Sequence, residues 1–296
     1  MKHFSSNIPP KNKISMRILV TGSSGQLGAA ISSMLSENHS VRGVDLLPGK
    51  FTTHVGNITD RDFIFSVTEN VEYIIHTASL HAPHLETHSK EEFIDTNIIG
   101  TLNLLEASKE NGIRRFVYSS TTSLYGYAMV SPEKAVWVTE DLLPKPRDIY
   151  DVTKIAAEGL CEIYSQKYGL SCISLRVSRF FPESEYLIAI YRLYRGVDVR
   201  DATQAHILAM TAETEGYGVF NISALSLFSR EETYDLFHDA PSVILRHFPD
   251  IDSIFAKKGW ILPQSIDRVY SVEKAKKTLN YRPSFNFDTL IETINN

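Results

Sequence analysis

From Met16 onward, short apolar runs alternate with helix-length amphipathic stretches, the rhythm of βα units that feed a parallel sheet. The pattern predicts six strands, at Arg17 to Thr21, Val41 to Asp45, Phe51 to Val55, Tyr73 to His76, Arg115 to Ser119 and Cys172 to Arg176. Their unbroken apolar character suits strands covered on both faces. Helices are predicted between them, at Gln26 to Glu37, Arg61 to Asn70, Lys90 to Asn111 and Ile149 to Tyr168. In the third, Phe93, Ile94, Ile98, Leu102 and Leu105 recur at helical spacing. Gly112 and Gly169 fall where helix C-caps are expected.

Beyond Arg176 the rhythm changes. A helix is predicted from Glu185 to Arg195, a short strand around Val197 to Val199, a helix from Ala202 to Glu213 and a strand from Gly218 to Ile222, followed by a mostly helical remainder. The expected fold class is therefore α/β, a Rossmann-like doubly wound parallel sheet with a small, mostly helical C-terminal substrate lobe. The domain division follows: residues 1–15 a flexible, polar, lysine-bearing tail, 16–177 the dinucleotide-binding domain, and 178–296 a lobe with segments returning to the main domain.

Composition narrows the function classes. The 296 residues are 43% hydrophobic, enough for one large core with an added lobe. A net charge of −5 supplies no field for nucleic acid or an anionic membrane, and no apolar run approaches the length of a membrane-spanning helix. Nucleic acid and membrane are thus not expected partners. Cys161 and Cys172 are the chain's two cysteines, too few for a disulfide framework or a zinc knuckle, so no metal is expected and a cytoplasmic location is.

The first candidate chemistry is the turn Thr21-Gly-Ser-Ser-Gly-Gln-Leu-Gly28, which follows a strand and opens a helix. Gly22, Gly25 and Gly28 let the backbone turn tightly and approach a pyrophosphate, with helix N-terminal amides presented to it. Asp45 ends the next strand, where a carboxylate holds ribose hydroxyls and repels a ribose phosphate. NAD is favoured over NADP, although Arg42 and Lys50 lie nearby.

The second is Tyr150-Asp-Val-Thr-Lys154, which a helix places on one face one turn apart. A phenol ionises near pH 10, so using it as a base at neutral pH requires a downward shift of roughly 3 units, about 4 kcal/mol. A neighbouring ammonium, acting directly or through a cofactor ribose, provides it.

With these two motifs, the strand end His76-Thr-Ala-Ser79, Asn97 in a long helix, and Tyr118-Ser-Ser120 before Leu124-Tyr-Gly126, the chain resembles the extended short-chain dehydrogenase/reductases, the group containing NAD-dependent sugar epimerases and dehydratases. The likeness is strong from Met16 to about Arg176. It resumes weakly at Val197 to His206 and Tyr270 to Pro283. It implies a cofactor cradle of Gly22, Ser24, Gly25, Gln26, Leu27, Gly28 and Asp45, with Asn57 and Ile58 near the adenine, Ala78 along the central part, and Asn97, Tyr150 and Lys154 completing the contacts. Asn57 stands where the family usually has Asp. The resemblance also implies catalysis by Thr121, Tyr150 and Lys154, Thr121 orienting the reacting hydroxyl, with Ser120 and Ser123 its close competitors. His76 itself reads as a buried strand-end histidine.

Sugar dehydratases of the group follow that Thr with an Asp-Glu pair, where this chain has Thr122 and Ser123. Dehydration is therefore disfavoured, leaving hydride transfer at a secondary hydroxyl of a sugar, sugar acid or sugar nucleotide. After Arg176 the run Val177-Ser-Arg-Phe-Phe-Pro-Glu183 is short, more like the compact uronate and aldose dehydrogenases than the diphosphate-gripping enzymes. Substrate contacts are expected at Ser123 and Arg179, with His81, His84, Arg147 and Arg192 as further candidates. The competing readings are an NADPH-dependent carbonyl reductase on a less polar substrate and a non-catalytic dinucleotide-sensing protein. A homodimer through a four-helix interface, built from the helices at Lys90 to Asn111 and Ile149 to Tyr168, is the oligomer the resemblance suggests.

Overall fold

The computed structural model describes residues 15–295. Of the tail expected over residues 1–15, all but Ser15 lies outside the described residues. The first half runs β1 (Arg17–Thr21), α1 (Gln26–Ser36), β2 (Ser40–Asp45), β3 (His54–Val55), α2 (Arg61–Thr68), β4 (Tyr73–His76), α3 (Lys90–Ile94), α4 (Gly100–Glu110), β5 (Arg115–Thr121), β6 (Val136–Val138), α5 (Ile149–Tyr168) and β7 (Ser171–Val177). The second runs α6 (Glu185–Tyr194), α7 (Val199–Thr211), β8 (Tyr217–Ile222), α8 (Thr233–His238), α9 (Ala240–His247), α10 (Ile251–Lys258), β9 (Arg268–Tyr270), α11 (Glu273–Thr278) and α12 (Phe287–Asn295).

Seven strands form one parallel sheet in the order β3-β2-β1-β4-β5-β7-β8. Alternation along each strand divides its side chains between two cores. Ile18, Val20, Ile75, Val117 and Ile173 face a cluster with Leu27 and Ile31 of α1 and Ala202, Ala205 and Ala209 of α7. Leu19, Ile74, Phe116 and Cys172 face the opposite cluster, with Ile64 of α2, Leu104 and Leu105 of α4, and Ala157 and Cys161 of α5. Each such aliphatic side chain, withdrawn from water, contributes about 1.5–3 kcal/mol. The small residues of α7 let that helix approach the sheet closely. A third cluster gathers Leu193, Phe228, Leu236, Val243, Ile244, Phe255 and Phe287 from α6, the loop before α8, α8, α9, α10 and α12 into the C-terminal lobe.

Three expectations are corrected. The run Phe51 to Val55 pairs only at His54 and Val55, because Thr52 and Thr53 close a turn onto Gly49 and Gly43. Val197 to Val199 is not a strand: the Val197 amide donates to the Arg179 carbonyl in an isolated bridge, and Asp198 caps α7. The segment expected as one helix over Lys90 to Asn111 carries a π turn at Asp95–Ile99 between α3 and α4. The strand expected over Gly218 to Ile222 is present as β8, which extends the main sheet beside β7. Two three-residue strands, β6 and β9, went unpredicted; they pair in parallel and bring the C-terminal segment beside the chain that follows β5.

Candidate functional site

Three strand ends meet the opening of α1 at the C-terminal edge of the sheet. Gly22 has φ +74°, and a Cβ there would stand 2.6 Å from Thr77 Oγ1 and 2.8 Å from the Ala78 amide. A Cβ on Gly28 would meet the Gly22 carbonyl oxygen at 2.0 Å, so the helix and turn pack in a way that excludes any side chain. Gly25 occupies the N-cap of α1 without a capping side chain, and the first turn carries no acidic residue. Ser24, Gly25 and Gln26 are exposed while Leu27 packs into the core. The result is an open, positively polarised helix end, the kind of surface on which a pyrophosphate rests.

Asp45 stands beside this turn, its carboxylate accepting from the Ser24 amide at 3.0 Å and the Leu47 amide at 3.0 Å. Arg42 is directed elsewhere: its guanidinium donates to the carbonyls of Val67 and Glu69 at the end of α2. Lys50 lies over the Phe51 ring. Neither therefore faces Asp45 as a phosphate ligand. Asn57 is exposed, its side-chain oxygen accepting from the Thr59 amide, while Ile58 is buried against Gly100. Their carbonyl neighbourhood is fixed by Asn103, which donates to the Ile58 and Thr59 oxygens.

Asn97 sits in the π turn, buried, and braces the floor of the cleft. Its amide oxygen accepts from Leu80 N and Ser79 Oγ, and its nitrogen donates to Leu80 O and Thr153 Oγ1. The wide turn is what inserts this side chain between the loop after β4 and helix α5. His76 is a structural residue: burial lowers its pKa to about 3, and it bridges Thr21 and Thr101. Because Thr101 donates to Asn97 O, the imidazole carries its proton on Nε2 and accepts from Thr21 at Nδ1.

Helix α5 presents Tyr150 and Lys154, both buried, below Thr121 at the end of β5. Burial pushes the Tyr150 phenol well above the ordinary tyrosine range; a hydrogen bond with the Thr121 side chain acts against this, and Asp151 and Asp148 add to it. Lys154 is moved the other way. Burial brings its pKa down to about 7, opposed by the negative charge of Glu158. The ammonium donates to Ser119 O at 2.7 Å, reaches Ser79 Oγ at 3.5 Å, and lies 4.3 Å from the centre of the Tyr118 ring. In this arrangement Tyr150 is a proton donor at rest, and Lys154 occupies the floor where a ribose hydroxyl would sit.

The other candidates separate. Arg147 is held by Asp151 and donates to Ser123 Oγ at 2.7 Å, so Ser123 stands at the rim with its oxygen engaged. Arg192 is corrected: it is buried within α6, donating to Phe285 O and paired with Asp198, away from the cleft. Arg179 is ion-paired with Glu183 and stacked between Phe181 and Tyr191. His81 stacks on Phe181, with ring centres 5.6 Å apart, and packs edge-on against His84. The loop after β4 thus touches the segment after β7. Among the described residues no cluster of His, Cys, Asp or Glu is placed to hold a metal, and no helix is long and apolar enough to cross a membrane.

Two residues that the sequence did not single out complete the centre. Glu158 lies one turn past Lys154, and Arg176 of β7 grips it with Nε and Nη2 at 3.0 and 2.7 Å. The signal was present as the four-residue spacing Tyr150, Lys154, Glu158, with an arginine inside an otherwise apolar strand.

A family model of NAD dependent epimerases and dehydratases matches residues 18–186, from β1 to the start of α6 and so more than half of the chain. The chain belongs to the NAD dependent epimerase/dehydratase family. The cofactor of this family is NAD, and the uncapped helix end, the glycine positions without room for a Cβ and the Asp45 carboxylate fit that group. Among curated relatives, an uncharacterized UDP-glucose epimerase, YtcB of Bacillus subtilis (strain 168), is 32% identical over 204 residues, covering 61% of this chain and 62% of that one. A 3-beta-hydroxysteroid dehydrogenase of Mycolicibacterium neoaurum is 31% identical over 176 residues, 55% of this chain and 47% of its own. This epimerase/dehydratase chain therefore spans about half to three-fifths of the length of these two relatives. Among solved structures, a UDP-N-acetylglucosamine 4-epimerase from Bacillus cereus superposes with a TM-score of 0.69 at 27% identity, over 95% of this chain and 98% of that one. Sugar-nucleotide and steroid names thus attach to similar levels of identity: the family relationship speaks for the cradle, and the substrate must be argued from the rest of the site.

Proposed function

We propose that the protein is an NAD-dependent epimerase acting on a secondary hydroxyl of a sugar nucleotide. The observation that carries this reading is the convergence of Thr121, Tyr150 and Lys154 beside the dinucleotide cradle, with no carboxylate following Thr121. The Gly22 to Gly28 turn, Asp45 and Lys154 would hold NAD, which would supply the hydride acceptor. Thr121 orients the substrate hydroxyl toward Tyr150, which takes its proton on oxidation and returns one on reduction. The Lys154 ammonium stabilises the phenolate that must form before the proton is taken and that is left again once the proton is returned. Elimination of water needs an acid and a base of its own, and the two positions after Thr121 do not furnish them. Thr122 is buried against the Tyr270 phenol, and Ser123 is engaged by Arg147. The exposed apolar residues Ile94, Ile99, Val152 and Ile163 on α3, the π turn and α5 support a homodimer through a four-helix interface.

A second reading, net oxidation of a free sugar or sugar acid, is favoured by one observation. Only seven residues separate β7 from α6 and four separate α6 from α7, which leaves little chain to grip a nucleotide diphosphate. Incubation with NAD+ and UDP-hexoses, free aldoses and uronic acids distinguishes the two. Inverted sugar isomers seen by proton NMR without accumulating NADH support the epimerase; stoichiometric NADH with a free sugar or sugar acid replaces it with the dehydrogenase. Tyr150→Phe is expected to lower turnover about 100- to 10,000-fold on the substrate so found. Unchanged turnover would sink the proposed proton transfer.

A further inference from the structure

Helix α5 carries a third polar residue on its catalytic face. Tyr150, Lys154 and Glu158 follow one another at four-residue intervals, and all three are buried. A carboxylate in such a place normally neutralises unless it is bonded on every side. Here it is bonded thoroughly: Arg176 donates from Nε at 3.0 Å and Nη2 at 2.7 Å, and Ser120 Oγ donates at 2.5 Å. Arg176 is itself fixed from behind, since its Nη1 donates to the Tyr125 phenol at 2.9 Å and that phenol donates to Asn221 Oδ1 at 2.8 Å. The Asn221 amide in turn donates to Glu140 at 2.7 Å. The network ties α5 to β5, β7, β8 and the turn at Leu124 to Gly126.

We propose that Glu158 is a positioning residue of the catalytic centre: its carboxylate, locked by Arg176 and Ser120, keeps the buried Lys154 side chain in its ammonium form. The ammonium has few other anionic supports. Around it stand the Tyr118 ring from β5, His76 and His81 from β4 and the loop beyond it, and Cys161 and Tyr150 from α5 itself. His76 is neutral, and both histidines have their proton affinity reduced by burial and by the Lys154 charge. The backbone oxygen of Ser119 offers a dipole and not a charge. Glu158 is thus the carboxylate that opposes the desolvation of Lys154. This role rests on Lys154 acting as the charged member of the site, but not on which sugar is the substrate.

The test reads the lysine directly in the cofactor-free protein. With lysine labelled at its terminal carbon and nitrogen, the Lys154 resonance is assigned by its loss in Lys154→Met and titrated by NMR. In Glu158→Gln the midpoint is expected to fall by about one pH unit or more, the effect of removing a charge one helical turn away. Because this variant leaves Arg176 without its partner, Glu158→Gln combined with Arg176→Met removes both charges and is expected to show a smaller but still downward movement, the loss of the more distant guanidinium offsetting part of the loss of the carboxylate. NADH affinity at pH 8, read by fluorescence, should weaken several-fold in parallel. If Glu158 serves only to hold the fold together, thermal stability drops while the midpoint stays in place in both variants, and the proposal is overturned. A wrong assignment of reaction or substrate would leave the titration as described, so the two failures are distinguishable.

Discussion

The Lys154 ammonium donates to the main-chain oxygen of Ser119 at 2.7 Å, two residues before Thr121 on the same strand. This bond places the charge at the level where β5 ends and holds α5 against the sheet. Lys154 is thus partnered by backbone, while the Tyr150 phenol is partnered by Thr121. The two halves of the motif do not rely on a direct bond to each other.

Burying Lys154 should cost stability, and the cost depends on pH. Its folded-state pKa is about 7, against about 10.4 for an unfolded lysine. Below pH 7 both states are charged and the penalty is fully present; between pH 7 and about 10.4 the unfolded chain binds more protons, so stability recovers as pH rises. Lys154→Met is therefore expected to be more stable than the wild type by on the order of 1–4 kcal/mol at pH 7, with the gap narrowing toward pH 10. Chemical denaturation at the two pH values measures it. A variant less stable at pH 7 would show that the contacts with Ser119 and Tyr118 outweigh the desolvation.

Two buried histidines give the opposite end of the pH scale its own signature. Burial lowers His76 to about 3 and His206 to about 4, both from the ordinary 6.5. His206 donates to Ala202 O and accepts from the Ser119 hydroxyl, so it works as the neutral ring. Unfolded histidines take up protons below pH 6.5 while the folded ones do not, so stability is full above that pH and falls toward pH 4. At pH 4.5 each is expected to remove on the order of 2–3 kcal/mol. His206→Gln should flatten the decline, read as the urea midpoint at pH 7.5 and 4.5; an unchanged slope would mean that carboxylates set the acid limit.

Asp45 is expected to govern cofactor choice from both directions. Replacing it by Asn keeps an oxygen for the Ser24 amide but removes the charge that holds ribose hydroxyls and repels a phosphate. NADH affinity should fall about ten- to hundredfold, the worth of charge-assisted hydrogen bonds, while NADPH affinity rises. Fluorescence titration with both nucleotides checks this. A constant ratio between them would remove Asp45 from the role.

What the sequence made legible was whatever is local. Gly22 to Gly28 and Tyr150 to Lys154 announce themselves because the constraint and the residues that meet it lie within one turn. The central strands were visible because their apolar residues are buried, whereas Phe51 to Val55 was overread, since only the exposed His54 and Val55 pair. The pairing of Val136–Val138 with Arg268–Tyr270 was not, since each strand is three residues long and its partner lies far along the chain. The π turn was hidden because its widened backbone preserves the apolar stripe through Phe93 and Leu105. Among the charged candidates, Arg192 and Arg179 look alike in sequence; only packing shows one bonded to Phe285 O and Asp198 and the other stacked at the cleft. Glu158 escaped notice for a related reason, because a carboxylate on a helix reads as solvated until its strand partner is known.

The pairing of β6 with β9 has a temporal side. Tyr270 packs with Leu124, Tyr125 and Met129 and bonds Thr122, immediately after Thr121. As a ribosome delivers the chain from its N-terminus, the glycine turn and helix α5 emerge well before residue 268. A nascent chain stalled short of that point would carry the dinucleotide cradle with its catalytic turn still unsupported. Competence to bind cofactor is then expected to precede competence to turn over.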